Sequence, residues 1–410
     1  MANGQSPGGH FLEVISHGAD WFNWKLIPFI LIWAASSFIL LLIVFTRYVV
    51  PHPRPPRRSE KTFRTVDHVG KLTEPAPLPS WSDDLATKVA KAQAEGKEAQ
   101  LEQEMEPAEV FMTLVVPAYN EEKRLTGMLE EAVNYLETEY GTAAKAPTES
   151  ANGGLKQRNM SGTNVPLRGW EVLLVDDGST DKTLETCTTF SCNHILPPLP
   201  RRLSGPWTHR SESGVKVKPS SIRMIKLEEN RGKGGAVTHG MRHARGQYVV
   251  FADADGASKF TDVGKLVSAC EKAEDNRGRG VAVGSRAHLV GSEAVVKRSK
   301  LRNFLMHSFH LLLYLMTPPQ TAKIRDTQCG FKLFSRASLP YIVPHMHTEG
   351  WIFDVEMLML AEFAGIPVVE VPIGWREVVG SKLNVIYDSI GMAYGLAVLR
   401  LCWAIGVFKR

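Results

Sequence analysis

The chain has 410 residues, 44% apolar and 22% charged, an ordinary globular composition long enough to bury a full core and to hold two domains. Its net charge of +5 is mild, and the basic residues gather beside an N-terminal apolar run and at 297–302 rather than along a stripe, which disfavours nucleic acid as a partner. The cysteines, at 187, 192, 270, 329 and 402, are odd in number and form no Cys-x-x-Cys pair, which excludes a zinc-finger spacing and fits a reducing compartment without structural disulfides.

Residues 26–46 carry no charged side chain, and a helix of that length spans roughly 30 Å, the thickness of a bilayer's hydrocarbon core. The run starts late and has no Ala-x-Ala-like exit, so a transmembrane helix fits better than a cleaved signal peptide. Lys25 precedes it, whereas Arg47, Arg54, Arg57, Arg58, Lys61 and Arg64 follow. By the positive-inside rule residues 1–25 are lumenal and the remainder cytosolic. Trp21, Trp24 and Tyr48 are placed as interfacial anchors. Residues 47–108 read as a linker: Pro51–Pro56 predicts an extended spacer that lifts the next domain off the bilayer, and Asp83–Glu106 a solvated charged helix.

Apolar, β-branched runs then recur at 111–116, 172–175, 222–227, 248–252 and 281–283, mostly separated by helical stretches, which predicts a doubly wound, mostly parallel sheet. Two stretches rich in Gly, Ser, Thr, Asn and Pro, 141–168 and 191–220, interrupt it as surface insertions; the first holds the sequon Asn159-Met160-Ser161, which a cytosolic domain cannot use. Loops at strand carboxyl ends face the ligand crevice of such sheets. After the first run, Asn120 can cap the following helix, while Tyr119 and Glu121 lie where a planar base and its ribose would be met. In Asp176-Asp177-Gly178-Ser179-Thr180-Asp181, Asp181 or Ser179 can cap a helix and Asp176 or Asp177 would face the crevice. Asn230-Arg231-Gly232-Lys233-Gly234-Gly235 leads into a helix from about Ala236, where glycines, a helix N-terminus and Lys233 suit a phosphate. Val237 stands where a dinucleotide fingerprint needs its third glycine, which argues against an NAD enzyme.

The fourth run ends in Asp253-Ala254-Asp255. Two carboxylates one residue apart at a strand end suit either an acidic turn that caps the next helix or a hard divalent cation, Mg²⁺ or Mn²⁺, whose shell a substrate diphosphate completes. Metal carboxylates, a Lys-Gly loop and an acidic base-binding loop together describe a nucleoside-diphosphate-sugar site. Further on, residues 304–316 are too short to span a bilayer and stop at Pro318-Pro319, and 389–408 contains Arg400 and several glycines. Both suit helices in the headgroup layer, although buried core helices have the same pattern. His307 and His310 lack a third ligand nearby in sequence, so no metal is assigned there.

Val115–Glu122, Val175–Asp181, Asn230–Gly235 and Ala252–Asp255 resemble the successive motifs of the inverting GT-A glycosyltransferases of family 2. Ile324–Lys332 and Trp375–Lys382, with the single N-terminal anchor, resemble the dolichyl-phosphate β-glucosyltransferases among them, over about residues 111–408 apart from the insertions. The resemblance implies transfer of glucose from UDP-glucose to dolichyl phosphate at the cytosolic face of the endoplasmic reticulum, in support of protein N-glycosylation. It divides the chain into a nucleotide-sugar and metal-binding part, 109–295, and an acceptor and membrane-interface part, 296–410. Carried over by residue, Pro117, Tyr119, Glu121 and Asp177 would contact uridine, Lys233 the nucleotide, and Asp253 and Asp255 the metal and diphosphate. Arg286 matches an arginine at the acceptor phosphate, with Arg298 and Arg302 as the best further ligands and Arg376 and Lys382 as additional candidates. Asp326 and Asp354 are candidate catalytic groups that would meet sugar hydroxyls or orient a neighbour, or cap helices. A mannosyltransferase with a GDP donor and a catalytically silent nucleotide-binding scaffold are the competing readings.

Overall fold

The computed structural model describes residues 27–96, 105–142, 167–195, 217–289, 308, 311–378 and 385–408. Seven strands form the main sheet: β3 Val110–Ala118, β4 Trp170–Asp176, β5 Ile222–Lys226, β6 Gly246–Ala252, β7 Val281–Ser285, β8 Phe331–Ser335 and β9 Val368–Pro372. Their order is β5-β4-β3-β6-β8-β7-β9, parallel except that β8 runs antiparallel to both its neighbours. All five predicted strands are present. β8 escaped sequence reading because Lys332 interrupts its apolar pattern.

Strands covered on both faces need apolar side chains on both, and β3 has them. Val115 enters one core, while Met112, Leu114 and Val116 enter the other. The first core is closed by α5 Gly232–Arg242, α7 Phe353–Phe363 and α8 Val385–Ala404; the second by α3 Leu125–Tyr140, α4 Thr183–Ile195 and α6 Val263–Ala273. From β3 the chain builds outward through β4 and β5, then crosses to β6 on the opposite side. That reversal opens a crevice between the carboxyl ends of β3 and β6, where doubly wound sheets take their ligands.

Helix α1, Ile27–Val44, continues as a π-helical turn to Val49, and this stretch is long and apolar enough to cross a membrane. The segment after it differs from the expected spacer. Instead of holding the domain away, residues 51–94 strap onto it. Arg64 bridges Met224 at the open edge of β5 through two backbone hydrogen bonds of 2.8 and 2.9 Å, and β1 Thr62–Phe63 pairs with β2 Ala76–Pro77 beside it. Covering an edge this way blocks pairing with another chain. Helix α2, Trp81–Ala94, is capped by Ser80 and buries Trp81 and Leu85, so the predicted solvated helix begins earlier and is docked; Trp81 Nε1 donates to the Met241 carbonyl at 2.7 Å. Its apolar face packs on the domain, and Asp83 pairs with Lys61 at 2.5 Å.

Glu60 anchors the strap. Fully buried, its carboxylate accepts from Arg54 Nη1 and Nη2 at 2.9 and 2.6 Å, from the Arg57 N–H at 2.7 Å and from the Glu228 N–H at 3.1 Å. Burial alone would raise its pKa, but these donors outweigh burial and bring it from 4.5 down to about 2. A depressed folded pKa means the contribution is present above pH 4.5 and fades as pH falls toward 2. Glu60→Ala is expected to cost about 3 kcal/mol at pH 7, the usual loss when a buried charge pair is broken. The deficit in thermal melting should shrink below pH 4; a variant melting like the parent at pH 7 would refute the anchoring role.

Most of each predicted insertion, 143–166 and 196–216 with Asn159, lies outside the described residues. The second was expected from residue 191, but α4 runs to Ile195 with Ser191 and His194 buried. At the C-terminal side, residues 311–316 are helical and bury Leu313 while exposing Leu311, Tyr314 and Leu315. Helix α8 likewise buries Leu396, Leu399, Cys402 and Trp403 and exposes Tyr387, Ile390, Tyr394 and Leu401. Each therefore has a core face and an outward apolar face, so the two sequence readings were not exclusive.

Candidate active site at the strand carboxyl ends

Beyond β6 the chain turns through Asp253-Ala254-Asp255-Gly256, where Gly256 takes a φ of +69° and Asp255 Oδ1 accepts from the Ala257 N–H at 3.0 Å. The turn brings both carboxylates to the crevice. Asp253 is held from two sides: its N–H donates to the Gly330 carbonyl at 3.2 Å, and Lys233 Nζ lies 2.6 Å from its Oδ1. A β-carbon on Gly330 would stand 2.1 Å from Asp253 Oδ2, so glycine alone allows the approach to β8 to pass this carboxylate. Burial would lower the Lys233 pKa, yet Asp253, Asp354 and Asp255 outweigh it and raise it above 10.5. Asp255 is raised from its ordinary value by burial and then by the charge of Asp253, against the weaker pull of Arg124 and Lys233. Burial and a neighbouring carboxylate together make the second negative charge costly here.

Beneath this pair lies a second one. Lys332 Nζ, fully buried in β8, donates to the Asp354 carboxylate in the first turn of α7 and to the Cys329 carbonyl at 2.7 Å. Burial raises the Asp354 pKa more than Lys332 and Lys233 lower it. Asp354 is thus engaged as the counter-ion of Lys332, one layer below the crevice.

The loops after β3 and β4 are tied to each other. Asn120 takes a left-handed φ of +53°, and its Oδ1 accepts from the Thr180 and Asp181 N–H groups at 2.7 and 3.3 Å. It therefore does not cap the next helix, as the sequence suggested: α3 starts only at Leu125. Asp181 sits one residue before the N-cap position of α4, and its Oδ1 accepts from the Thr183 N–H at 3.0 Å. Asp177 Oδ1 accepts from the Arg231 N–H at 2.7 Å, and its backbone oxygen from Asn230 Nδ2 at 3.0 Å; burial pushes its carboxyl up to about 6. Pro117 is buried in β3 opposite Val175, and Tyr119 stands exposed at the rim. Both oxygens of Glu121 accept from Arg124, Oε2 from Nε at 2.7 Å and Oε1 from Nη2 at 2.6 Å, and Arg124 Nη1 lies 3.9 Å from Asp255 Oδ2.

The glycines of the loop also serve close packing. A β-carbon on Gly232 would lie 2.6 Å from the Glu349 carbonyl oxygen and one on Gly234 2.6 Å from Phe353 Cβ, while the Gly235 N–H donates to Glu349 O at 3.2 Å. The glycines let α5 press against residues 349–353, and the helix begins at Gly232, not Ala236. That packing delivers Lys233 to Asp253.

On the acceptor side, Arg286 follows β7. Asp326 Oδ2 accepts from its N–H at 2.8 Å and from Nε at 2.7 Å, and Asp326 Oδ1 from Nη2 at 2.8 Å; its guanidinium carbon stands 5.6 Å from the centre of the Trp375 ring. Burial opposes both charges, but their mutual bonding prevails: the Arg286 pKa is raised and that of Asp326 lowered. Asp326 is thereby an orienting group for Arg286. The Arg376 N–H donates to the Ala257 carbonyl at 3.0 Å, which joins residues 375–376 to the turn after Asp255. Arg298, Arg302 and Lys382 lie outside the described residues.

The model of glycosyl transferase family 2 matches residues 113–205 and 209–342. The chain is 37% identical over 378 residues to the dolichyl-phosphate beta-glucosyltransferase of Saccharomyces cerevisiae, covering 90% of this chain and 92% of the relative. It belongs to that family. The dolichyl-phosphate beta-glucosyltransferases of Dictyostelium discoideum and Homo sapiens are 37% and 36% identical over 301 and 299 residues, each covering 73% of this chain and 77% of the relative. Among solved structures, glucosyl-3-phosphoglycerate synthase of Mycobacterium tuberculosis aligns at a TM-score of 0.43 and 15% identity over 71% of this chain and 80% of that one, too distant to bear on this chain's chemistry.

Family membership accords with the GT-A arrangement of the sheet and with the crevice at its reversal point. Two residues of this family member were missed in sequence. Arg124 was hidden among the charges opening a helix, where its three-residue spacing from Glu121 was the available signal. For Lys332 the signal is its place inside the apolar run Gly330-Phe331-Lys332-Leu333-Phe334, where a lysine implies a buried partner.

Proposed function

We propose that the chain transfers glucose from UDP-glucose to dolichyl phosphate with inversion, giving dolichyl β-D-glucosyl phosphate for N-glycan assembly. The observation that carries this reading is identity to dolichyl-phosphate beta-glucosyltransferases over 90% of the chain, with the Asp253, Asp255 and Lys233 cluster in the crevice at the sheet's reversal point. Residues 109–295 would hold the donor and 296–410 the acceptor. The basic residues after α1 support a cytosolic catalytic domain on the endoplasmic reticulum membrane, with the outward apolar faces of residues 311–316 and α8 in the headgroup layer.

A lipid phosphate has a second pKa near 6, so most of it is doubly charged at neutral pH and needs no strong general base. Its oxygen attacks the anomeric carbon as the bond to the UDP oxygen breaks, turning an α-linked donor into a β-linked product. Bringing two polyanions to one carbon requires cations on both sides. Asp253 and Asp255 offer hard oxygen donors side by side at the crevice, a donor set that suits Mg²⁺ or Mn²⁺. Bound there, the ion would neutralise the departing diphosphate. Lys233 holds Asp253 in place, while Arg286, oriented by Asp326, would grip the acceptor phosphate together with Arg298, Arg302, Arg376 and Lys382. Pro117, Tyr119 and Asp177 would frame the uridine.

The deciding assay offers the full chain in detergent a panel of labelled nucleotide sugars with dolichyl phosphate. UDP-glucose is expected to give the lipid-linked product; selective use of GDP-mannose would overturn the reading.

A further inference from the structure

Residues 121–124 form a tight turn in which the Arg124 and Leu125 N–H groups both donate to the Glu121 carbonyl at 3.0 Å, and the Glu121 N–H is fixed by Thr183 Oγ1 at 2.8 Å. Side chains three apart in such a turn lie side by side, so Glu121 grips Arg124 through two parallel bonds, the fork geometry that holds a guanidinium in one plane. The grip engages Nε and Nη2. It leaves Nη1 facing Asp255 Oδ2 at 3.9 Å, an attraction too long for a hydrogen bond, and Nη1 donates none among the described residues.

Among the described residues, Lys233 is engaged with Asp253 and Arg286 with Asp326. We propose that Arg124 is a binding residue for the donor's diphosphate, and that Glu121 is the positioning residue that aims it. This rests on reading the crevice as the nucleotide-sugar site, and it alters the expected role of Glu121, whose two oxygens are occupied by Arg124 rather than turned to ribose. A guanidinium held rigid before substrate arrives loses little freedom on meeting an anion. Its place beside the second carboxylate of the acidic pair is where a diphosphate on that pair would come.

The test compares binding of UDP and of uridine, by calorimetry with Mn²⁺, to the wild-type chain, Arg124→Gln, Glu121→Gln and the double variant. Arg124→Gln is expected to weaken UDP at least about tenfold, the scale of one charge-assisted hydrogen bond, with uridine unchanged. Glu121→Gln should weaken UDP as well, and the double variant should be no worse than Arg124→Gln, because the glutamate acts through the arginine. Unchanged UDP affinity in Arg124→Gln, equal loss of UDP and uridine, losses that add in the double variant, or a defect that only follows a lower melting temperature would each overturn the proposal. Wild-type chain that does not bind UDP at all would instead overturn the reading of the crevice.

Discussion

Asp255→Asn is expected to reduce glucosyl transfer on the order of 10³-fold, the loss that follows when several kcal/mol of charge stabilisation at a leaving group disappear. The fold should not suffer. Asparagine Oδ1 can still accept from the Ala257 N–H, the 3.0 Å bond that shapes the turn. The sign of the stability change follows from linkage: the Asp255 pKa is raised in the folded chain, so its ionised form opposes folding above that pKa, and removing the charge relieves Asp253. Melting at pH 7 should therefore stay the same or rise while activity collapses. Such a trade of stability for function is expected where like charges await a cation. Metal-dependent UDP binding, measured beside turnover, checks the assignment; a variant that works at near-parental rate defeats it.

For Arg286→Ala the expected result is a KM for dolichyl phosphate raised about 100-fold, with UDP-glucose affinity retained. The substitution also strands Asp326, whose carboxylate is nearly buried, so some instability is expected alongside. Pairing it with Asp326→Asn separates the two effects. The double variant should recover stability because no lone charge remains, yet still use the acceptor poorly because no guanidinium grips it. Arg286→Lys should rescue little, since an ammonium cannot reproduce the two-pronged contact to Asp326. Equal weakening of donor and acceptor, or acceptor use restored in the double variant, would place Arg286 elsewhere in the reaction.

Several features of this chain needed no coordinates. Five apolar runs announced five strands because burial on both faces demands continuous hydrophobic sequence, and the uncharged run 26–46 announced a helix long and apolar enough to cross a membrane. Asp253 and Asp255 stood out in sequence because a strand end places both carboxylates at the crevice of such a sheet. Glu121, Arg286 and Asp326 were selected as site residues, but Arg124 was not, and the pairings of Glu121 with Arg124 and of Arg286 with Asp326 emerged only in space. Tertiary structure alone decided the rest. Lys332 and Asp354 stand 22 positions apart and meet only when β8 and α7 pack. Glycines 232, 234 and 235 suit a phosphate in one dimension, and only three dimensions show that they also make room for residues 349–353. The strap from residue 51 to 94 reads as a linker because its anchors, Glu228, Met224 and Met241, are more than a hundred residues away. Local sequence encodes which surfaces must be buried and which charges must be answered; only chain closure determines by whom.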